Sequence, residues 1–160
     1  MNGKRLIIDG NNLIHADPEL AGEARRSFDH ARLLLVRKLD ELAGAMDCEQ
    51  ITVVFDGRGV SAQWECRSPH VRVLFCPEGF TADSVIERLV HADEDRSRVQ
   101  VVTSDRGERD TVEAAGATST ACSIFSDHMR SQRRHLSAKV RNARSDGPAT
   151  RLGDFFPKVE

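Results

Sequence analysis

Three aspartates stand at the ends of short apolar segments, each at the point where the chain becomes polar. They are Asp9, Asp56 and Asp105. Carboxylates that meet at one place repel one another unless something positive lies between them. Because Mg²⁺ and Mn²⁺ prefer oxygen ligands, this pattern predicts a site for one or two such ions.

Ions held by carboxylates suit the hydrolysis of phosphodiester bonds. Two ions about 3.5–4 Å apart can stabilise both the attacking and the leaving oxygens, and they acidify a water enough to attack near neutral pH. Asn12, which follows Asp9 closely, is predicted to orient a metal-bound water or a phosphate oxygen without adding charge. The pattern therefore indicates metal-activated water as the nucleophile.

The elements that must position these acids alternate between strand-like and helix-like segments. Apolar runs predict strands over 5–9, 50–55, 71–76, 99–104 and 117–122. Helical spacing predicts helices over 22–46, 81–92, 106–115 and about 123–144, after a loop that contains Asp17-Pro18. This order predicts an α/β fold in three layers, with a mostly parallel, Rossmann-like sheet of about five strands flanked by helices.

Ligands of such sheets bind outside the carboxyl ends of the strands, so the three aspartates are expected at one edge. Thr81 is predicted to cap the helix after the third strand, which places Asp83 in the first turn at that same edge. Glu87, one turn later, is predicted to be a further ligand or to support the ligands from behind. Four acids from four separate elements would then converge.

Each acid also has a simpler interpretation. Strand-end aspartates often cap helices or form turns, and for Asp56 beside Gly57 the turn is as good an explanation as a metal. Asp83 could serve only to complement the helix dipole, and Glu87 could form a surface pair with a neighbouring base. The coincidence of several acids favours the metal site, with Asp9, Asp56, Asp83 and Asp105 as ligands.

The distribution of charge favours a polyanionic partner. The net charge is only −2, but residues 130–151 hold seven basic residues and one acid, whereas residues 1–129 hold 15 basic and 22 acidic residues. Phosphate backbones are bound by such basic segments. The residues predicted to contact RNA are Arg130, Arg133, Arg134, Lys139 and Arg141. The alternative is an ordinary solvated helix face.

Composition and missing motifs narrow the class. The 160 residues predict a single domain over 1–160, whose tail at 148–160 docks through Phe155 and Phe156. No apolar run approaches the roughly 20 residues of a membrane span, and we expect a cytoplasmic monomer with reduced cysteines. Glycine-rich phosphate cradles are missing, so no nucleotide cofactor is expected. An aspartyl-phosphate phosphatase would need a second aspartate where Asn11 stands.

Four motifs in this order resemble the NYN domain family in its YacP-like branch, a group of PIN-like ribonucleases. The motifs are Leu6-Ile7-Ile8-Asp9-Gly10-Asn11-Asn12-Leu13-Ile14, Val54-Phe55-Asp56-Gly57, Thr81-Ala82-Asp83-Ser84-Val85-Ile86-Glu87 and Val101-Val102-Thr103-Ser104-Asp105. The resemblance covers about residues 5–130. Asn11 stands where the family often has an aromatic residue, and Arg106-Gly107-Glu108 departs from the pattern expected after Asp105.

The resemblance implies a PIN-like fold and a metal-dependent ribonuclease. Asp9, Asn12, Asp83 and Asp105 match the family's acidic and amide positions, with Asp56 as an additional one. Some bacterial members act on messenger RNA at the ribosome. We therefore expect a Mg²⁺- or Mn²⁺-dependent endoribonuclease; the alternatives are a catalytically inactive RNA- or ribosome-binding module and a metal-dependent phosphatase.

Overall fold

The structure is a computed structural model that describes residues 3–57 and 66–145 of the chain. Its described residues form five strands: β1 (Lys4–Asp9), β2 (Cys48–Phe55), β3 (Val71–Phe75), β4 (Val99–Val102) and β5 (Thr118–Thr120). All neighbouring strands are parallel, in the order β3-β2-β1-β4-β5. The predicted α/β fold is confirmed. The tail predicted to dock at 148–160 lies outside the described residues.

Helices connect β1 to β2, β3 to β4 and β4 to β5, and they cover both faces of the sheet. They are α1 (Gly10–Ala16), α2 (Pro18–Ala24), α3 (Phe28–Leu42), α4 (Ala82–Ala92), α5 (Arg106–Ala114) and α6 (Cys122–Ser145). Within the described ranges, no helix has the length and hydropathy that a membrane span requires.

The two faces of the sheet bury separate cores because side chains alternate along each strand. Leu6 and Ile8 of β1 pack into a core shared with α1, α2, α3 and α6, whereas Ile7 packs into a second core with α4 and α5. By the same alternation, Asp9 belongs to the side of the sheet that α4 and α5 cover. The central position of β1 brings β2 and β4 to either side of Asp9.

The prediction of a loop containing Asp17-Pro18 before the first long helix is wrong, because the short helices α1 and α2 occupy this part of the chain. Asp9 caps α1 by accepting the backbone N–H of Asn12, and Asp17 caps α2 with Pro18 as its first residue. Aspartate before glycine or proline favours a turn, but the same residues start helices. The long helix predicted over 22–46 therefore begins only at Phe28, after the Ser27 cap.

Gly10 lets α1 start in direct contact with β2. A Cβ atom at this position would lie 2.4 Å from Phe55 Cε1 and 2.8 Å from Val53 Cγ1. The ring of Phe55 is fully buried, so it has little room to move away. The close approach fixes the direction in which the chain leaves Asp9.

Replacing Gly10 with alanine should lower the free energy of unfolding by about 1–3 kcal/mol, because the added methyl overpacks the core against Phe55. Gly22→Ala is the matched control: Gly22 lies within α2 and a Cβ there meets nothing within 4 Å. That variant should gain roughly 0.5–1 kcal/mol from helix propensity. Denaturant unfolding of both variants checks this, and equal effects would mean that the contact with Phe55 does not constrain α1.

Candidate active site

Three carboxylates meet at the carboxyl edge of the sheet. Asp9, Asp83 and Glu108 each offer an oxygen, and these oxygens all lie within 4.8 Å of one another. We call this set the acid cluster. It lies where the strand order changes direction, between β1 and β4, the usual position of a ligand crevice in an open parallel sheet.

The position of each acid in the cluster is fixed by the start of a helix. Asp9 ends β1 and caps α1. Asp83 lies in the first turn of α4, whose start is fixed by a reciprocal capping box between Thr81 and Ser84. Glu108 lies in the first turn of α5, where its backbone N–H donates to Asp105 Oδ1 at 3.1 Å. Local capping therefore determines where the three carboxylates point.

Thr103 connects the two sides of the site. Its buried hydroxyl donates to Glu108 Oε2 at 2.6 Å, and it accepts from Asn12 Nδ2 at 3.1 Å and from the backbone N–H of Asp105 at 3.2 Å. Asn12 also donates its backbone N–H to Asp9 Oδ1 at 3.1 Å. A single chain of hydrogen bonds thus runs from Asp9 through Asn12 and Thr103 to Glu108.

Burial and the repulsion of nearby carboxylates raise the pKa values of Asp9 and Glu108 and favour their protonated forms. Burial, with a contribution from Asp83 and Asp105, raises the pKa of Asp9 to about 6, although the N–H of Asn12 opposes the shift. Burial is also the main cause that raises the pKa of Glu108, and the nearby Asp83 and Asp9 raise it further. Both groups would ionise more readily beside a cation.

The Glu108 side chain fits a cation better than it fits a purely structural role. Only 4% of the residue is exposed, and its Oε1 atom has no hydrogen-bond partner among the described residues. Leaving a buried oxygen unpaired is costly, whereas a divalent cation takes such an oxygen as a ligand. Asp9, Asp83 and Glu108 therefore offer a set of oxygen ligands that a divalent metal ion could take.

Two predicted ligands lie at the same edge but outside the acid cluster. Asp105 is exposed and caps α5, yet it is close enough to raise the pKa of Asp9. The backbone N–H of Asp56 donates to Asn11 Oδ1 at 3.1 Å, which joins the end of β2 to the start of α1. Burial is the main cause that raises the pKa of the Cys76 thiol. The negative charges of Asp56, Asp9 and Asp83 raise it further, in that order.

The sequence analysis did not place Glu108 or Thr103 in the site. Asp105-x-x-Glu108 has the spacing of a capping box, in which the glutamate would accept the N–H of the capping residue. Here Thr103 accepts that N–H instead, and the carboxylate turns to the acid cluster. The buried threonine two residues before the cap was the available signal. Glu87, half-buried one turn after Asp83, does not join the cluster within the described ranges.

Four of the five basic residues predicted to contact RNA line a groove of about 820 Å³ between α2, α3 and α6. The basic groove is defined by Lys38, Arg130, Arg133, Arg134 and Arg141, over a floor that includes Leu42, Met129 and Ala138. Lys38 pairs with Glu19, and Arg133 lies 3.8 Å from the same carboxylate. Lys139 is on the same helix but outside this lining.

The first turn of α6 connects the basic groove with the acid cluster. Burial raises the pKa of the Cys122 thiol to about 11, and Asp9 and Glu108 add to the shift from nearby. From Cys122 the helix runs about 10 Å to Met129, where the groove begins. One helix therefore starts at the acids and carries the arginines away from them.

A parallel sheet covered by helices on both faces, with carboxylates at its topological switch point, defines an α/β protein with an acidic site at the carboxyl edge of the sheet. The chain belongs to the YacP-like NYN domain family, whose model matches residues 6–155. This is a PIN-like nuclease family, and PIN-like nucleases typically use divalent metals. Membership supports a ribonuclease-type function.

Relatives in Bacillus subtilis agree with this assignment. The protein YacP of strain 168 is 30% identical over 149 residues, which cover 92% of this chain and 87% of that protein. The crystal structure of Rae1 (YacP) from B. subtilis matches with a TM-score of 0.79 at 29% identity, covering 92% of this chain and 86% of that one. A tryptophan-to-leucine variant of Rae1 matches with a TM-score of 0.77 at 28% identity, covering 90% and 86%. The resemblance noted from the sequence is confirmed.

The metal-free protein should become less stable as the pH rises from about 4 to 6. The folded-state pKa of Asp9 lies above its unfolded value, so the folded protein binds more protons in this window, and ionisation at higher pH costs about 3 kcal/mol. Asp9→Asn keeps the cap of α1 and removes the charge. Denaturant unfolding in chelator should therefore show a flatter pH profile for this variant.

The control for this measurement is Asp110→Asn, which removes an exposed charge from α5. Its pH profile should match that of the wild type. Parallel profiles for all three proteins would mean that Asp9 ionises normally in the folded state. Adding Mn²⁺ at pH 8 should restore stability to the wild type and not to Asp9→Asn.

Proposed function

We propose that this protein is a Mg²⁺- or Mn²⁺-dependent endoribonuclease. The observation that carries the proposal is the convergence of Asp9, Asp83 and Glu108 within 4.8 Å at the switch point of the sheet. Family membership supports the chemistry, because NYN domains belong to the PIN-like nucleases. Messenger RNA at the ribosome is the substrate that the resemblance implies.

The acid cluster would hold the cation through oxygens from three separate elements. When bound, a divalent cation supplies positive charge that acidifies water and stabilises a phosphoryl group in transition. Thr103 holds Glu108 in place by donating to Oε2, and Oε1, which has no hydrogen-bond partner among the described residues, would bind the cation. Asn12 ties Asp9 to Thr103, so the two sides of the site keep their spacing.

Asp105 and Asp56 would act around the cluster. Asp105 is exposed at the start of α5, and as a negative group near Asp9 it adds to the field that attracts a cation. We propose that both acids bind a second ion or order water once RNA occupies the edge. Glu87 would support Asp83 from the next turn of α4.

The basic groove favours a long phosphate backbone over a small phosphorylated molecule. It extends from Met129 to Arg141, about 18 Å along α6, which corresponds to roughly five phosphates of a stacked strand. A small-molecule phosphatase has no need for cations at that distance from its acids. RNA that spans the edge and the groove would meet both.

Asp9→Asn and Glu108→Gln should each lower RNA cleavage by at least about 100-fold, because each removes a charged ligand while keeping its hydrogen bonds. Asp110→Asn should cleave like the wild type. Cleavage of a labelled single-stranded RNA, with Mn²⁺ or with chelator, measures the effect. Products with 5′-phosphate ends are expected.

Cleavage that survives chelator or Asp9→Asn would contradict the proposed site. A wild-type protein that binds free RNA and translating ribosomes but cuts neither would instead identify the inactive binding module. Running the assay on free RNA and on messenger RNA in translating ribosomes separates an intrinsic nuclease from one that needs the ribosome.

Arg134→Ala and Arg141→Ala should each weaken RNA binding and make it less sensitive to salt. Both residues line the basic groove, and neither forms an ion pair with any described residue. Losing one phosphate contact should reduce the slope of log affinity against log salt by about 0.7–1. Lys139→Ala, with the same change in charge outside the groove, should change the slope less. Equal slopes for all variants would make α6 a solvated face.

A further inference from the structure

Phe80 is a large aromatic side chain exposed just before α4, the helix that carries Asp83 of the acid cluster. It is 40% exposed, and with Ile124 and Val140 it is one of three exposed large apolar side chains within residues 3–57 and 66–145. It lies three positions before Asp83, directly ahead of the cap of α4. A single exposed apolar side chain is ordinary on a protein surface, but an aromatic ring exposed three positions before an acid of the cluster is a candidate contact for a bound substrate.

A hydrogen-bonded turn fixes the backbone at Phe80. Gly79 adopts a φ of +81°, which an L side chain rarely adopts, and the backbone N–H of Phe80 donates to the carbonyl of Pro77 at 3.0 Å. The reciprocal capping box of Thr81 and Ser84 follows at once. The position of Phe80 relative to Asp83 is therefore set by hydrogen bonds on both sides.

Arg88 covers the ring from the next turns of α4. Its guanidinium carbon lies 4.7 Å from the centroid of the Phe80 ring, the geometry of a cation–π contact. A planar cation against an aromatic ring, still 40% open to solvent, forms a ready surface for a further flat π system. Arg88 also places positive charge next to that surface, in an otherwise acidic neighbourhood.

We infer that Phe80, backed by Arg88, is a stacking platform for one nucleobase of the RNA, next to the phosphate that the acid cluster receives. This inference rests on the proposed function. A base can stack there only after it has left its own helical stack, so the substrate class is single-stranded RNA. Stacking tolerates every base, and the platform would position the chain without selecting a sequence.

The competing explanation is structural. A residue just before a helix cap often packs against the fourth helical residue, which in α4 is Val85. Leucine at position 80 would keep such an apolar contact but remove the aromatic face. Tryptophan would keep both and enlarge the face. These two substitutions separate stacking from packing.

The test measures binding of the full chain, in the Asp9→Asn background, to a fluorescent single-stranded RNA and to a series with one abasic position moved along it. Phe80→Leu should weaken binding of the intact RNA about 5- to 100-fold, and Phe80→Trp should bind at least as tightly as Phe80. One abasic position should weaken Phe80 proteins and leave Phe80→Leu unaffected. Ile124→Ala, another exposed apolar side chain, should match the parent.

Equal affinities of the Phe80 and Phe80→Leu proteins for every RNA would overturn the platform while the parent protein still binds RNA and the wild type still cuts it. Failure of the wild type to cut either free RNA or messenger RNA in translating ribosomes would overturn the proposed function itself. Thermal unfolding of Phe80→Leu close to that of the parent shows that lost binding is not lost folding. The opposite result is that Phe80→Leu loses both RNA affinity and stability, and binds more weakly than the parent whichever position of the RNA is abasic. That result would assign Phe80 to packing.

Discussion

The repulsion among three partly or fully buried carboxylates is the constraint around which this protein is organised. Asp9, Asp83 and Glu108 cannot all be charged at low cost in the same small volume. Three helices begin at this edge, and each contributes the positive end of its dipole to the acids in its first turn or at its cap. Neutral donors complete the arrangement, because Asn12 and Thr103 hold the carboxylates without cancelling their charge.

The fold places the acid cluster and the basic groove at separate positions on a chain of 160 residues. The acid cluster lies on the side of the sheet covered by α4 and α5, whereas the basic groove lies among α2, α3 and α6 on the other side. The side chain of Asp17 joins two helices of the groove: it caps α2 and accepts the buried hydroxyl of Ser126 on α6 at 2.8 Å. The acids and the groove arginines therefore lie on separate sides of the sheet.

The order of strands and helices along the chain and the edge that carries the acids could be predicted from the sequence, because apolar runs indicate strands and their alternation with helices indicates a parallel sheet. The short helices α1 and α2 could not, since Asp9-Gly10 and Asp17-Pro18 are typical of turns as well as helix starts. Glu108 was not predicted as a ligand for a related reason: its spacing from Asp105 is that of a capping box, which already gives the residue a structural role. Only the position of Thr103, which takes over the capping N–H, frees that carboxylate. Tertiary contacts of this kind leave no periodic signal.

The position of β1 at the centre of the sheet also sets when the site can exist. Asp9 lies near the start of the chain, and its partner Glu108 lies on α5, after β4 has been added beside β1. A growing chain that has folded only β1, β2 and β3 holds Asp9 without Glu108 or the Thr103 hydroxyl. The acid cluster therefore forms only after β4 and α5 have packed beside β1, so the site depends on contacts between segments about 100 residues apart in the chain.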